Sequence, residues 1–251
     1  MKMSFRGWLS VGAVVSAALV GAGSASADPP GDAALGRMDT AMNQAKSQYL
    51  EYEVVNQEPG KAEKKIGMKV FIKGEKRMTE FTAPADMKGT KVLILSPTQM
   101  YVYLPAFGKV RRIASHTTDQ GFMGMAFTQD DFASQSYGPW YSGQLISEAG
   151  NDQKLALTPK AGQTVPYGKL EFTVMKDKSL PSEIKYFNAS GQHIKTETRS
   201  DYKCEGRVCT PMTLKMVDHS KGGLWTKFTT KEWKVNQDLS DDLFSKRNLE
   251  K

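Results

Sequence analysis

Histidine and cysteine are scarce, at three and two in 251 residues. His116, His193 and His219 share no His-x-x-x-His or His-Glu-x-x-His spacing, which excludes the helical zinc-protease arrangement in which two imidazoles one turn apart hold a metal. No serine stands in Gly-x-Ser-x-Gly, so the nucleophile elbow of the α/β-hydrolases is missing, and no glycine-rich phosphate loop occurs. Asp130 and Asp131 are adjacent and would diverge by about 100° on a helix, which suits helix-start charges better than an acid/base pair. No catalytic residue is assigned on this evidence. An enzyme is not expected, and neither is a cofactor or a metal. Runs of like charge are also missing: the formal net charge of +7 is spread along the chain. A nucleic-acid partner is therefore not expected, whereas an anionic membrane face or an acidic docking partner fits a mild basic excess.

Long apolar runs are limited to the N-terminus. Lys2 and Arg6 precede an apolar stretch from Trp8 to Val20, and Ser24-Ala25-Ser26-Ala27 has the small-x-small pattern cut by signal peptidases. The stretch is shorter than the roughly 20 residues that span a bilayer. Residues 1–27 are thus read as a signal peptide cleaved after Ala27, with residues 28–251 forming one periplasmic domain that begins at Asp28. No cysteine lies near the cut, which argues against lipid attachment there. Loss of Lys2 and Arg6 brings the net charge to +5.

Cys204 and Cys209 flank Glu-Gly-Arg-Val. In an oxidising compartment this spacing fits a disulfide across the arms of a hairpin, worth about 2 kcal/mol for so short a loop. A zinc site recruiting His193 or His219 is the competing reading, although it lacks a second cysteine pair.

From Asp32 to Ser47 the residues Leu35, Met38, Met42 and Ala45 recur at intervals of three and four, which predicts a helix with one apolar stripe. From Tyr49 onward the period becomes two. Alternation predicts strands over Ile66 to Ile72, Lys91 to Leu95, Met100 to Leu104, Gln144 to Glu148, Lys154 to Thr158 and Lys169 to Met175. Further strands are expected over Glu183 to Asn188, His193 to Lys203, Thr210 to Asp218 and Trp225 to Val235. Ser240 followed by Asp241-Asp242-Leu243-Phe244 and Leu249 predicts a short closing helix. Many short-turned antiparallel strands with few helices imply a mainly β (α+β) fold: a strongly curved antiparallel sheet or half-open barrel, with helices against one face.

Between the halves lies GFMGMAFTQDDF, residues 121–132. Its large apolar side chains sit on a loop punctuated by Gly121 and Gly124, whose backbone freedom suits a hinge. Thr128 followed by Asp131 resembles a capping box that starts a short helix. Methionine repacks readily around varied partners. Met38, Met42, Phe122, Met123, Met125 and Phe127 are accordingly candidates for the lining and lid of a hydrophobic cavity, the other reading being ordinary core. Arg111 and Arg112 are candidates for contact with an anionic headgroup or a partner, the other reading being a solvated strand edge.

The segment YLPAFGKVRRIASHTTDQGFMGMAFTQDDF, the later hairpin followed by Pro211-Met212, and the terminal DDLFSKRNLE resemble the outer-membrane lipoprotein-sorting-protein-like family, related in fold to the periplasmic lipoprotein carrier LolA. In that family a Leu-Pro-x-x-Gly-x-x-Arg-Arg-Ile strand precedes a Phe-Met-Gly loop and a short acidic helix. Met125-Ala126 stand where a small polar residue and an aspartate are common, so no role for that aspartate carries over. The resemblance implies a LolA-like half-barrel around an apolar cavity, no catalytic residues, and a carrier of lipid or lipoprotein acyl chains. Expected partners are an inner-membrane exporter or an outer-membrane acceptor, and the expected state is a monomer. A lipid-sensing regulatory or adaptor protein with the same fold is the alternative. Burying an acyl chain recovers about 0.8 kcal/mol per methylene, on the order of 10 kcal/mol gross for a long chain, so a carrier needs no reactive group to hold its cargo.

Overall fold

In the computed structural model of the protein, residues 28–96, 98–113, 122–134 and 136–250 are described. The predicted signal peptide and its cleavage site, His116 and the first hinge glycine, Gly121, lie outside them. The described chain runs α1 (Pro29–Met42), β1 (Ser47–Gln57), β2 (Lys64–Lys73), β3 (Lys76–Ala83), β4 (Lys91–Ser96), β5 (Gln99–Leu104) and β6 (Lys109–Ile113). After α2 (Gln129–Ala133) come β7 (Tyr141–Ala149), β8 (Asp152–Pro159), β9 (Lys169–Met175), β10 (Leu180–Phe187), β11 (His193–Glu205), β12 (Val208–Asp218) and β13 (Leu224–Val235). A short closing α3 (Lys246–Leu249) follows.

All thirteen strands form one antiparallel sheet in the order β6-β5-β4-β3-β2-β1-β13-β12-β11-β10-β9-β8-β7. Each half is a meander of sequential hairpins, and the pairing of β1 with β13 joins them. The predicted strands match this register to within a few residues; β9 matches at both ends. Strand β3 was missed, because KRMTEFTA opens on two charges, carries a third at Glu80 and has little apolar content to show a period. The Leu-Pro-x-x-Gly-x-x-Arg-Arg-Ile stretch, read as one strand, is a hairpin: β5 ends at Leu104, a turn runs through Pro105–Phe107, and Gly108 at φ 55° leads into β6.

Alternation assigns the two faces of the sheet. On β3, Phe81 joins the main core while Met78 joins a smaller cluster with Leu93, Phe244 and Leu249. That smaller cluster is the seat of the C-terminal segment. Ser240 caps a 3₁₀ turn at Asp241–Phe244 and Ser245 caps α3, so the predicted closing helix is two short turns. The main core fills the opposite, concave face. There α1 packs against β7, β8, β10 and β12, and the loop between β6 and β7 reaches from Phe81 on β3 to Phe228 on β13. Met100 on β5 and Arg199 on β11, seven strands apart in the order, line one cavity, which requires a strongly curved sheet. Among the described residues no helix is long and apolar enough to cross a membrane.

Helix α1 begins three residues earlier and ends five earlier than the apolar spacing predicts. Pro29 and Pro30 occupy its first positions, where no backbone N–H is needed. At the other end Asn43 turns its side-chain amide back to the Asp39 carbonyl at 2.8 Å. The Ser47 carbonyl accepts from Asn236 N at 2.8 Å, so this backbone belongs to β1. The stripe is otherwise as predicted, with Leu35 and Met38 buried.

The helix also protects an edge of the sheet. β7 is a terminal strand, and its outward N–H groups at Gly143 and Leu145 donate to Asp32 at 2.7 Å and Asp28 at 2.8 Å. Unpaired edge donors would otherwise invite pairing with another chain. The approach is close: a Cβ on Gly31 would stand 2.4 Å from the Gly143 carbonyl oxygen.

Candidate functional site: an apolar cavity beneath the 122–134 loop

The loop that leads into α2 is built by short-range bonds. Met125 N donates to the Phe122 carbonyl and Phe122 N to the Phe127 carbonyl, each at 2.9 Å. Closing so tight a turn requires left-handed backbone at Met123 (φ 54°) and Gly124 (φ 79°). Thr128 and Asp131 then form the expected capping box, with Thr128 N to the Asp131 carboxylate at 2.7 Å and Asp131 N to the Thr128 hydroxyl at 3.2 Å. This folding projects Phe122, Phe127 and Phe132 onto the concave face. Phe127 stacks on Phe132 at 5.4 Å and meets Phe228 edge-on at 5.2 Å, while Phe122 lies 5.9 Å from Phe81.

The three phenylalanines roof a cavity of about 220 Å³. Its apolar wall comes from β1, β2, β4 and β5, with Leu50, Val70, Ile94 and Met100 among the lining residues. Its other side is polar. β11 turns Lys195, Glu197 and Arg199 inward at alternate positions, and the last two line the cavity with Asp131, Gln129 and Arg77.

These charges are largely paired. Lys195 donates to Asp131 at 2.9 Å, the two side chains being only 5% and 2% exposed. Tyr167 also donates to Asp131, at 2.5 Å. Arg199 Nε donates to Glu197 at 2.6 Å, and the Tyr186 hydroxyl donates to the other oxygen of the same carboxylate. Burial, and then the neighbouring carboxylates, push the hydroxyl pKa of Tyr167 and Tyr186 well above the ordinary tyrosine value. Burial is the largest single influence on Arg199 and opposes its charge, but Glu197 together with Tyr202, Tyr137 and Tyr186 outweighs it and raises the guanidinium pKa. Arg77 differs. Its Nε is inaccessible and has no hydrogen-bond partner, and burial, reinforced by the like charge of Arg199, lowers its pKa.

The loop is also tied to the seam of the sheet. Asn56 on β1 donates to the Gly124 carbonyl at 3.1 Å. Thr226 on β13 accepts from Ala126 N at 2.8 Å and donates to Asn56 at 2.6 Å. Asn56 and Thr226 are both buried, so the chain 124–131 is held by a polar tie at each end and by aromatic packing between.

The sequence profile of a family described as "Uncharacterized protein" matches residues 73–251, which contain β3 to β13 and the whole loop. The chain belongs to that family. No curated protein matches it. Among solved structures it is similar to a DUF1329 family protein from Desulfovibrio piger, with 24% identity over 88% of this chain and 98% of that one, and a TM-score of 0.81. An outer membrane lipoprotein-sorting protein domain from Vibrio parahaemolyticus shares 22% identity over 88% and 99% of the two chains, with a TM-score of 0.79. A LolA superfamily protein from Nitrosomonas europaea shares 21% identity over 87% and 98%, with a TM-score of 0.71. The fold is the LolA-like curved open sheet.

The structure brings most of the sequence-selected residues together in the concave interior. Phe122, Phe127 and Met42 line the cavity, Met38 and Met125 are wholly buried in the surrounding core, and Met123 packs against it. Arg111 and Arg112 lie elsewhere, exposed on edge strand β6: Arg111 stacks over Phe107 at 5.1 Å and Arg112 donates to the Thr98 carbonyl at 3.0 Å. Cys204 and Cys209 form a disulfide as a directly opposed pair on β11 and β12, and the ladder continues one pair further, through Glu205 and Val208. Sequence reasoning missed Arg77, Lys195, Glu197, Arg199, Asn56 and Thr226. The signal in β11 was its charge order: positive, negative, positive on one face of Lys-Thr-Glu-Thr-Arg, a self-neutralising row that can be buried.

Proposed function

We propose that this protein is an exported, periplasmic carrier that holds a lipid, or the acyl chain of a lipoprotein, beneath the 122–134 loop and moves it between envelope membranes or to and from a membrane exporter. The observation that carries the reading is the cavity on the concave face, apolar along β1, β2, β4 and β5 and roofed by Phe122, Phe127 and Phe132. At about 220 Å³ it is smaller than the roughly 300–1,000 Å³ of pockets that engulf a drug-sized ligand. Loading a long chain therefore requires the three phenylalanines to withdraw, and their place is taken by cargo of similar polarity. Further support comes from the signal-peptide pattern of residues 1–27, from the LolA-like fold, and from the lipoprotein-sorting domain with which that fold is shared.

The test is native mass spectrometry of the protein purified from the periplasm of its own cells, followed by transfer assays between two vesicle populations. A lipid-sized adduct together with transfer that scales with protein concentration is expected. Binding without transfer would move the reading to a lipid-sensing adaptor. No adduct, and no uptake of a fluorescent fatty acid, would overturn it.

A further inference from the structure

Among the described residues, the cavity has one cation that the fold leaves unused. Asp131 is matched by Lys195, and Glu197 by Arg199. Arg77 joins no ion pair among the described residues, its Nε has no hydrogen-bond partner, and Arg199, which lines the same cavity, opposes its charge. A guanidinium carries five donors in a rigid fork suited to carboxylate or phosphate oxygens, and burying one unmatched is unfavourable for an empty protein. The Gln129 side chain on the roofing helix repeats the pattern: its Oε1 is buried without a partner and lines the same cavity. Its amide can turn about its last bond and present the NH₂ in that position, so it serves as donor or acceptor to whatever enters. Both unsatisfied groups border the same space as the apolar wall, and the alternation of β3 explains the placement: Arg77, Thr79 and Phe81 face inward while Met78 faces the C-terminal segment.

Resting on the carrier reading above, we infer that the cargo is an anionic amphiphile, whose phosphate or carboxylate headgroup binds Arg77 and Gln129 while its acyl chain lies along the wall formed by Leu50, Val70, Ile94 and Met100. The headgroup is then the buried end and supplies the partner the cavity lacks. A neutral amphiphile would leave Arg77 unmatched and bind through its chain alone. A cationic one would meet Arg77 as a like charge.

The experiment titrates the full chain, as purified from the periplasm and stripped of lipid, with dodecyl phosphate, 1-dodecanol, dodecylamine and inorganic phosphate, all below micelle-forming concentration. Dodecyl phosphate is expected to bind about tenfold or more tightly than dodecanol, the size of effect that hydrogen bonds to a charged group produce. Arg77→Gln should abolish that preference while leaving dodecanol binding within threefold, and Arg77→Lys should keep part of it. Arg77→Met should raise the melting temperature of the empty protein, because it removes a half-buried charge that has no ion-pair partner among the described residues; a structural arginine would give the opposite result. Equal affinity for phosphate and alcohol heads, or a preference that survives Arg77→Gln, would overturn the inference and leave the carrier reading intact. Inorganic phosphate binding as tightly as dodecyl phosphate would also overturn it, by making the site one for free anions. Failure of all three dodecyl probes would remove the carrier reading as well.

Discussion

Replacing Asp131 with asparagine should release the loop. The carboxylate accepts from Thr128 N at 2.7 Å, Tyr167 at 2.5 Å and Lys195 at 2.9 Å, and it is almost wholly buried. Asparagine keeps one acceptor oxygen, enough for the cap or for the tyrosine, but it leaves the Lys195 ammonium without an opposite charge. Breaking a buried pair in this way costs about 3–5 kcal/mol. For a chain of this size, 3 kcal/mol corresponds to a fall of about 6–12 °C in melting temperature if the loss is global. The loop offers a cheaper response, since it can detach and hydrate Lys195 while the sheet persists, as low-stability segments do. Hydrogen exchange of peptides covering residues 122–134 separates the two: the variant should lose protection there and keep it in β9 to β13. Fluorescent fatty acid should also enter faster. Lys195→Met placed in the same chain should recover much of the loss, because it removes the stranded charge. A variant within 0.5 kcal/mol of the parent, with unchanged exchange in the loop, would refute the reasoning.

Gly143→Ala places a Cβ 2.7 Å from the Gly31 carbonyl oxygen and 3.2 Å from the Leu35 Cβ, so overpacking of about 1–3 kcal/mol is expected in denaturant titration, with loosening confined to α1 and β7. The Asp39 carboxyl, which accepts from Tyr137 N at 3.0 Å and Gly138 N at 2.7 Å, has its pKa raised by burial against the opposing pull of those bonds. The folded state therefore holds this proton more tightly than the unfolded chain, and stability falls as pH rises from the ordinary value of 3.8 through the raised one. Asp39→Asn should flatten that slope in thermal melts taken across the acidic range. Intact mass without reductant should be two hydrogens below the reduced mass, with Cys204 and Cys209 in one cross-linked peptide; two free thiols in periplasmic protein would contradict the pairing.

What the sequence made legible depended on whether a residue's environment is local. Two-residue alternation located most strands, since a strand with one face in the core must place its apolar residues on that face. The Thr128-Asp131 box was legible for the same reason, its partners being three residues apart. The second bond set of Asp131, to Tyr167 and Lys195, joins positions 36 and 64 residues away, and nothing in the helix-start pattern reports it. Arg77 beside Lys76 reads as surface charge after a turn; alternation sets it on the face of Phe81, and the curvature of the sheet makes that face the wall of a cavity. Asn56 and Thr226, 170 residues apart, meet because β1 and β13 pair at the seam. The cleavage pattern placed Asp28 at a mature N-terminus and the apolar spacing placed Asp32 at a helix start, but their acceptors serve an edge strand more than 100 residues on.

If the loop must move before the cavity can fill, a loop locked in place will not load. Ala126 N and Thr226 Oγ1 are 2.8 Å apart, so Ala126→Cys with Thr226→Cys places two thiols across the tie, in a background where Cys204 and Cys209 are both serine. Uptake of a fluorescent fatty acid is then measured with the new bridge oxidised and reduced, the bridge being confirmed by mass. Uptake should be blocked when the bridge is oxidised and restored on reduction. Equal uptake in the two states would contradict it and make residues 122–134 a fixed part of the core.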